Sequence, residues 1–155
     1  MRRLRPLAPA LVLALAWTVA HADEGAARRP GERLPTSSHT IQQIQGAAHR
    51  SALDGTEVVD VTGVVTVVTS TSFIIQAPSD DDPGTSDALF VYVGRRFDGL
   101  PAVGDDVAVS GKVDEYAARV RGEVLEGALT QTQLSRPLKV RVLASGCPLP
   151  DAIVV

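Results

Sequence analysis

The stretch VVDVTGVVTVV, Val58 to Val68, decides the fold. It is dense in Val and Thr, whose branched side chains suit a pleated strand better than a helix. Gly63 interrupts it, and a glycine inside a long strand marks a bulge or a sharp bend. A bent first strand is what a small barrel needs when one strand serves both of its halves.

Outward from this segment, SFIIQA (Ser72 to Ala77) and ALFVYV (Ala88 to Val93) read as a second and a third strand. DDVAVSGKVDEY makes a fourth, with Val107, Val109 and, past Gly111, Val113 spaced by two. Late strands are expected at ALTQTQL and LKVRVLA, where Leu138, Val140 and Val142 alternate with Lys139 and Arg141. No segment of ten or more residues carries a helical period. The expected fold is all-β: a small OB-fold-like antiparallel barrel of five to six strands, with an open sandwich as the alternative. A short helical turn should precede it in SSHTIQQIQG, where Thr40 can cap, Ile41 and Ile44 share one face and Gly46 can end the turn.

The chain opens on MRRLRPLAPALVLALAWTVAHADE, three arginines before an apolar run and a small-residue site at Ala20-His21-Ala22. That order is the pattern of a secretory signal peptide. The run from Pro6 to Ala20 is shorter than the ~20 residues a spanning helix requires. The expected organisation is a signal peptide over 1–22, a disordered leader over 23–38, one domain over 39–150 and a short tail over 151–155. The destination is secreted or periplasmic, with no membrane attachment after cleavage.

Removing Arg2, Arg3 and Arg5 from the 15 basic residues, against 18 acidic ones, takes the formal charge from −3 to −6. Such a balance opposes tight non-specific binding to nucleic acid, which depends on neutralising phosphates with Lys and Arg. Cys147 is the single cysteine, so no intramolecular disulfide can form, and the expectation is an inert, part-buried thiol. With two histidines left after cleavage, His39 and His49, no zinc site is expected.

The stretch DDDPGTSDALFVYV, Asp80 to Val93, poses the question of an acidic metal site. Asp80, Asp81, Asp82 and Asp87 could ligate Ca²⁺, but three adjacent carboxylates without a closing Glu do not make an EF-hand. The preferred reading is the turn of a hairpin, with Pro83-Gly84 at its tip and aspartates bonding local backbone.

Six pieces in order resemble a known family: TIQQIQG, VDVTGVVT, FIIQ, DDDPGTSDALFVYV, VGDDVAVSGKVDEY and the closing Leu149-Pro150. They resemble the YhcR-like OB-fold domains that precede the catalytic domain in secreted bacterial nucleases of the endonuclease/exonuclease/phosphatase type. Ser51-Ala52, Ser72-Phe73-Ile74 and the longer AARVRGEVLEGA connection depart from the family pattern. No residue here matches the catalytic carboxylates and histidines of those enzymes. The resemblance therefore implies a non-catalytic accessory module without a cofactor. Its implied partners are single-stranded or accessible DNA or RNA, and a nuclease catalytic domain acting in trans.

In an OB-fold the outer face of the second and third strands is the usual binding surface, where aromatic rings stack on bases. If Leu89, Val91 and Val93 are core, Phe90 and Tyr92 become stacking candidates, with Gln76 nearby and Arg95 and Arg96 placed to meet phosphates. Arg119 and Arg121, with Lys139 and Arg141, can extend a basic edge. The competing expectations, and the preferred ones for Phe90 and the late basic residues, are burial beneath the Ile41/Ile44 plug and a plain solvated strand face. The rival function is an extracytoplasmic module that binds a protein, a glycan or a cation.

Overall fold

The computed structural model describes residues 38–124 and 127–151; the expected signal peptide, the leader up to residue 37 and residues 152–155 lie outside them. A helical turn α1 (Ile41–Gln45) leads into strands β1 (Glu57–Val68), β2 (Ser72–Gln76), β3 (Ala88–Tyr92) and β4 (Asp106–Ala117). Two-residue strands β5 (Arg119–Val120) and β6 (Glu123–Val124) form a small hairpin before the long β7 (Thr130–Ala144). Five strands close into a barrel in the order β1-β2-β3-β7-β4.

β1 forms two seams, with β4 along its first half and with β2 along its second. At Gly63 itself the register does not slip. The register slips instead between Val58 and Val61 against β4, and between Val65 and Val67 against β2. Asp60 takes up the first slip with a φ of 51°. A strand alternates faces every residue, so Val58 and Val61, three apart, would otherwise point to opposite sides. The extra residue puts both in the core, at 1% and 0% exposure. Gly63 has another reason to be glycine: a Cβ there would stand 3.0 Å from the Gln76 carbonyl oxygen, where β2 runs close.

The barrel is not wholly antiparallel, as the sequence had led us to expect. β3 and β7 run parallel, with Phe90 opposite Gln133 and Val91 opposite Leu134. Directions cannot alternate all the way round a ring of five strands, so one joint has to be parallel. The two late strands also merge into one. β7 follows β4 from Ala117↔Thr130 to Asp106↔Ala144, and slips register where Ser110 and Lys112 face Lys139 and Ser135. Gly111 sits at this slip, where a Cβ would come within 2.7 Å of Leu138 Cδ2 and 2.9 Å of the Ser135 carbonyl oxygen.

The core draws on every strand of the ring: Val58, Val61 and Val65, Phe73 and Ile75, Leu89 and Val91, Val107, Val109 and Val113, and Leu134. α1 plugs it. Thr40 Oγ1 accepts from the Gln43 N–H, and the Gln43 side chain accepts from the Thr40 N–H, forming a capping box. A five-residue helix has no stability of its own. Burial of Ile41 and Ile44 holds it in place, each worth roughly 1.5–3 kcal/mol when fully buried. Ser51 Oγ then donates to the Ile44 carbonyl, and Gly46 turns the chain away at a φ of 64°.

The β5–β6 hairpin falls in the longer connection that sequence reading left unassigned. Arg121 and Gly122, with φ of 54° and 90°, give it a turn with two positive φ angles, the twist that favours two-residue hairpins.

Gly111→Ala should lower stability by about 1–3 kcal/mol, because the Ser135 carbonyl belongs to a paired strand and cannot retreat as a side chain can. Gly63→Ala, with its looser 3.0 Å contact, should cost less. Thermal melts of the two variants check the order.

Candidate functional site

The parity of the strands selects the residues that face outward beside the parallel joint. Leu89 and Val91 are buried, so Phe90 and Tyr92 point out; Leu134 is buried, so Gln131 and Gln133 point out; Val113 is buried, so Asp114 and Tyr116 point out. Pairing aligns Phe90, Gln133 and Asp114 across three strands, and Gln131 with Tyr116 in the neighbouring row. Tyr92 and Tyr116 remain 45% and 51% exposed.

These side chains line a run of three adjoining grooves. The middle one, about 300 Å³, lies among Phe90, Tyr92, Tyr116, Gln131 and Gln133, with Thr71 at its edge. It shares Tyr92, Tyr116 and Gln133 with a second groove of about 660 Å³ that adds Asp114, Arg95, Arg96 and Arg136. On the other side it shares Phe90 and Gln131 with a third, about 530 Å³, bounded by Gln45, His49 and the hairpin residues Thr85 and Ser86. The result is an aromatic trough, cationic at one end.

Two contacts hold the cationic end. Arg136 Nη2 donates to the Val93 carbonyl at 3.0 Å, passing so near Gly94 that a Cβ there would meet it at 2.9 Å. Gln133 Nε2 donates to Asp114 Oδ2 at 2.8 Å, and Gln133 is only 5% exposed.

Of the candidates read from sequence, Phe90, Tyr92, Arg95 and Arg96 come together in this trough. Phe90 is half-buried on the outer face rather than beneath α1, because the Ile41/Ile44 pair enters the barrel core instead. Gln76 lies apart, in a groove of about 600 Å³ with Pro78, Asp87, Pro148 and Leu149. Arg119 and Arg121 are exposed on the β5–β6 hairpin, where Arg119 Nη1 donates to the Gly122 carbonyl at 3.1 Å; neither lines the trough. Arg141 sits 3.5 Å from Asp60 on the far half of β7. Tyr116, Asp114, Gln131, Gln133 and Arg136 were missed. Tyr116 and Asp114 could have been found by carrying the alternation on from Val113.

Two carboxylates of the acidic turn bond its own backbone. Asp82 Oδ1 accepts from the Gly84 N–H at 2.8 Å and Asp80 Oδ1 from the Asp82 N–H at 3.1 Å. Asp87 is buried and accepts from Gln42 Nε2 at 2.7 Å, a bond that holds its carboxyl below the usual range and ties α1 to the hairpin. Among the described residues no group of His, Cys, Asp or Glu is arranged to hold a metal ion. Cys147 is half-buried, and its N–H donates to the Gly104 carbonyl at 2.8 Å. None of the described helices is long and apolar enough to cross a membrane.

Behind the trough, Glu115 faces inward from β4. Its Oε1 accepts from the Ser51 N–H at 2.8 Å and from the Thr132 hydroxyl at 2.7 Å. Burial pushes its pKa up. Thr130, the Ser51 N–H and Thr132, with the charge of Arg50, outweigh burial and hold the carboxyl below the 4.5 of an unperturbed Glu.

Comparison of the chain with protein-family models, with curated proteins and with solved structures finds no match in any of the three.

Because the folded-state pKa of Glu115 is depressed, its contribution to stability is present above the unfolded value and is lost as pH falls through the folded one. Melting temperature should therefore hold from pH 7 down to about 5 and drop as acid is added below it. Glu115→Ala should lower stability at pH 7 by about 1–3 kcal/mol, since the Ser51 N–H and the Thr132 hydroxyl lose their acceptor. The variant should also show a shallower acid slope in melts across pH 3–7.

Proposed function

We propose that this chain is a secreted, non-catalytic OB-fold-like module that binds single-stranded nucleic acid weakly along the trough beside the parallel joint. The observation that carries the reading is the grouping of Phe90, Tyr92 and Tyr116 on one sheet face, with Arg95, Arg96 and Arg136 at its end. Aromatic side chains accept a base of any sequence by stacking, and arginines meet the phosphates that join the bases. The closed five-stranded ring with its single parallel joint supports the finer fold assignment. The signal-peptide pattern at the N-terminus supports export. A nuclease domain acting beside the module is the partner this reading implies.

The net charge of −3, or −6 without the three N-terminal arginines, supports a second reading, in which the same aromatic and polar face takes a glycan or a protein. Tyrosine, glutamine and aspartate suit sugar hydroxyls as well as bases.

Fluorescence anisotropy with a labelled single-stranded oligonucleotide at low salt separates the two. Saturable binding is expected by about 100 μM protein, the range that non-specific sites reach. Tyr92→Ala and Tyr116→Ala should each weaken it by roughly 5- to 100-fold, as loss of one stacked base would. Arg119→Ala should leave it unchanged. With three arginines on phosphates, log K should fall against log salt with a slope of about −2. Absence of binding, or equal effects at Arg119 and Tyr92, removes the nucleic-acid reading in favour of the second.

A further inference from the structure

Within the cationic groove one residue has the wrong sign for a surface that meets phosphates. Asp114 lines it together with Arg95, Arg96, Arg136 and the two tyrosines. An ionised carboxylate repels a polyanion and adds nothing to stacking, so its presence needs a donor to face. On the nucleic-acid reading above, we propose that Asp114 sets a base preference, accepting from the Watson–Crick edge of guanine.

An ionised aspartate is an acceptor only. Its Oδ2 already receives Gln133 Nε2 at 2.8 Å, and the burial of Gln133 keeps the pair from swinging away. Among the described residues Gln133 is the hydrogen-bond donor to this carboxylate, on Oδ2, and Asp114 is partly exposed. The carboxylate edge therefore presents acceptor capacity to the groove.

The four bases differ in what they offer it. Thymine and uracil have one N–H between two carbonyls, which the carboxylate would repel. Adenine and cytosine each place an amino group beside a ring nitrogen that is itself an acceptor. Guanine alone has two adjacent donors, N1–H and the 2-amino group, the pair that a carboxylate can accept together. Its O6, on the same edge, would then meet arginine donors lining the same groove. Stacking on Tyr92 or Tyr116 holds the base in place for any sequence, and Asp114 distinguishes one base from the rest.

The test is a set of labelled thymidine pentanucleotides whose central base is thymine, guanine, inosine's hypoxanthine or 7-deazaguanine, titrated by anisotropy with the full chain. The guanine oligonucleotide should bind about tenfold tighter than the all-thymine one, within the range a bidentate base contact gives. 7-Deazaguanine, which keeps both donors, should match guanine, and hypoxanthine, which lacks the 2-amino group, should lose most of the gain. Asp114→Asn preserves an acceptor for Gln133, so a merely positioning role would leave the guanine-to-thymine ratio unchanged. The proposal requires that ratio to fall to within about twofold. Equal affinity for all four oligonucleotides overturns the base preference and leaves the proposed function standing. Loss with 7-deazaguanine but not with hypoxanthine overturns it in favour of arginine contacts at the other edge of the base. No binding by any of the four removes both readings. The ligand-side substitutions decide the matter even if the Asp114 variant does not fold.

Discussion

A closed ring with an odd number of strands cannot alternate direction all the way round, and in this barrel the exception falls between β3 and β7. The trough on the outer surface depends on that joint. It places Phe90 opposite Gln133, and β7's other neighbour then sets Asp114 opposite Gln133 and Tyr116 opposite Gln131. Residues from three strands, separated by as many as 43 positions between Phe90 and Gln133, become one continuous face. Had β3 been left as an open edge, its unpaired N–H and C=O groups would have invited another chain, and the trough would have lost one wall.

The ring closes through strands whose register slips against their neighbours. Asp60 inserts one residue into β1 so that Val58 and Val61 both reach the core. At the slip of β4 against β7, Gly111 lets the Ser135 carbonyl and Leu138 press in where a side chain would stand. The same slip brings Arg136 round to the end of β3, where it bonds the Val93 carbonyl and joins Arg95 and Arg96.

Polar side chains fasten the loops to this frame. Gln42 reaches from α1 to Asp87, and Glu115 holds both Ser51 and Thr132, so the segment that plugs the barrel is tied to the hairpin and to β7. The acidic turn, which on composition alone suggested a cation site, is occupied with its own backbone at Asp80 and Asp82. Its one buried carboxylate, Asp87, bonds an amide of α1.

Strand formation was local and therefore legible. Alternation of Val, Leu and Ile identified β2, β3 and β4 nearly to the residue, and Thr40, Ile41, Ile44 and Gly46 outlined α1. So was the outward direction of Tyr92, once the aliphatic face of β3 was given to the core, whereas Phe90, for which burial beneath α1 was the preferred expectation, stands half-buried on the same outer face. Hidden from sequence were the partners of that face. Nothing near Tyr116 in the chain says that it lines a groove with Tyr92, and Gln76, expected near Phe90 and Tyr92, proved to lie in a different groove. Arg119 and Arg121 looked equal to Arg95 and Arg96 as basic residues, yet stand on a hairpin whose Arg-Gly turn carries none of the usual Asn-Gly signal. Hydrophobic period and capping chemistry act between near neighbours, so the sequence by itself determined β1 to β4, the helical turn and the faces they turn inward. Which faces meet depends on ring closure and on one-residue slips between distant strands, and only the tertiary structure decided that.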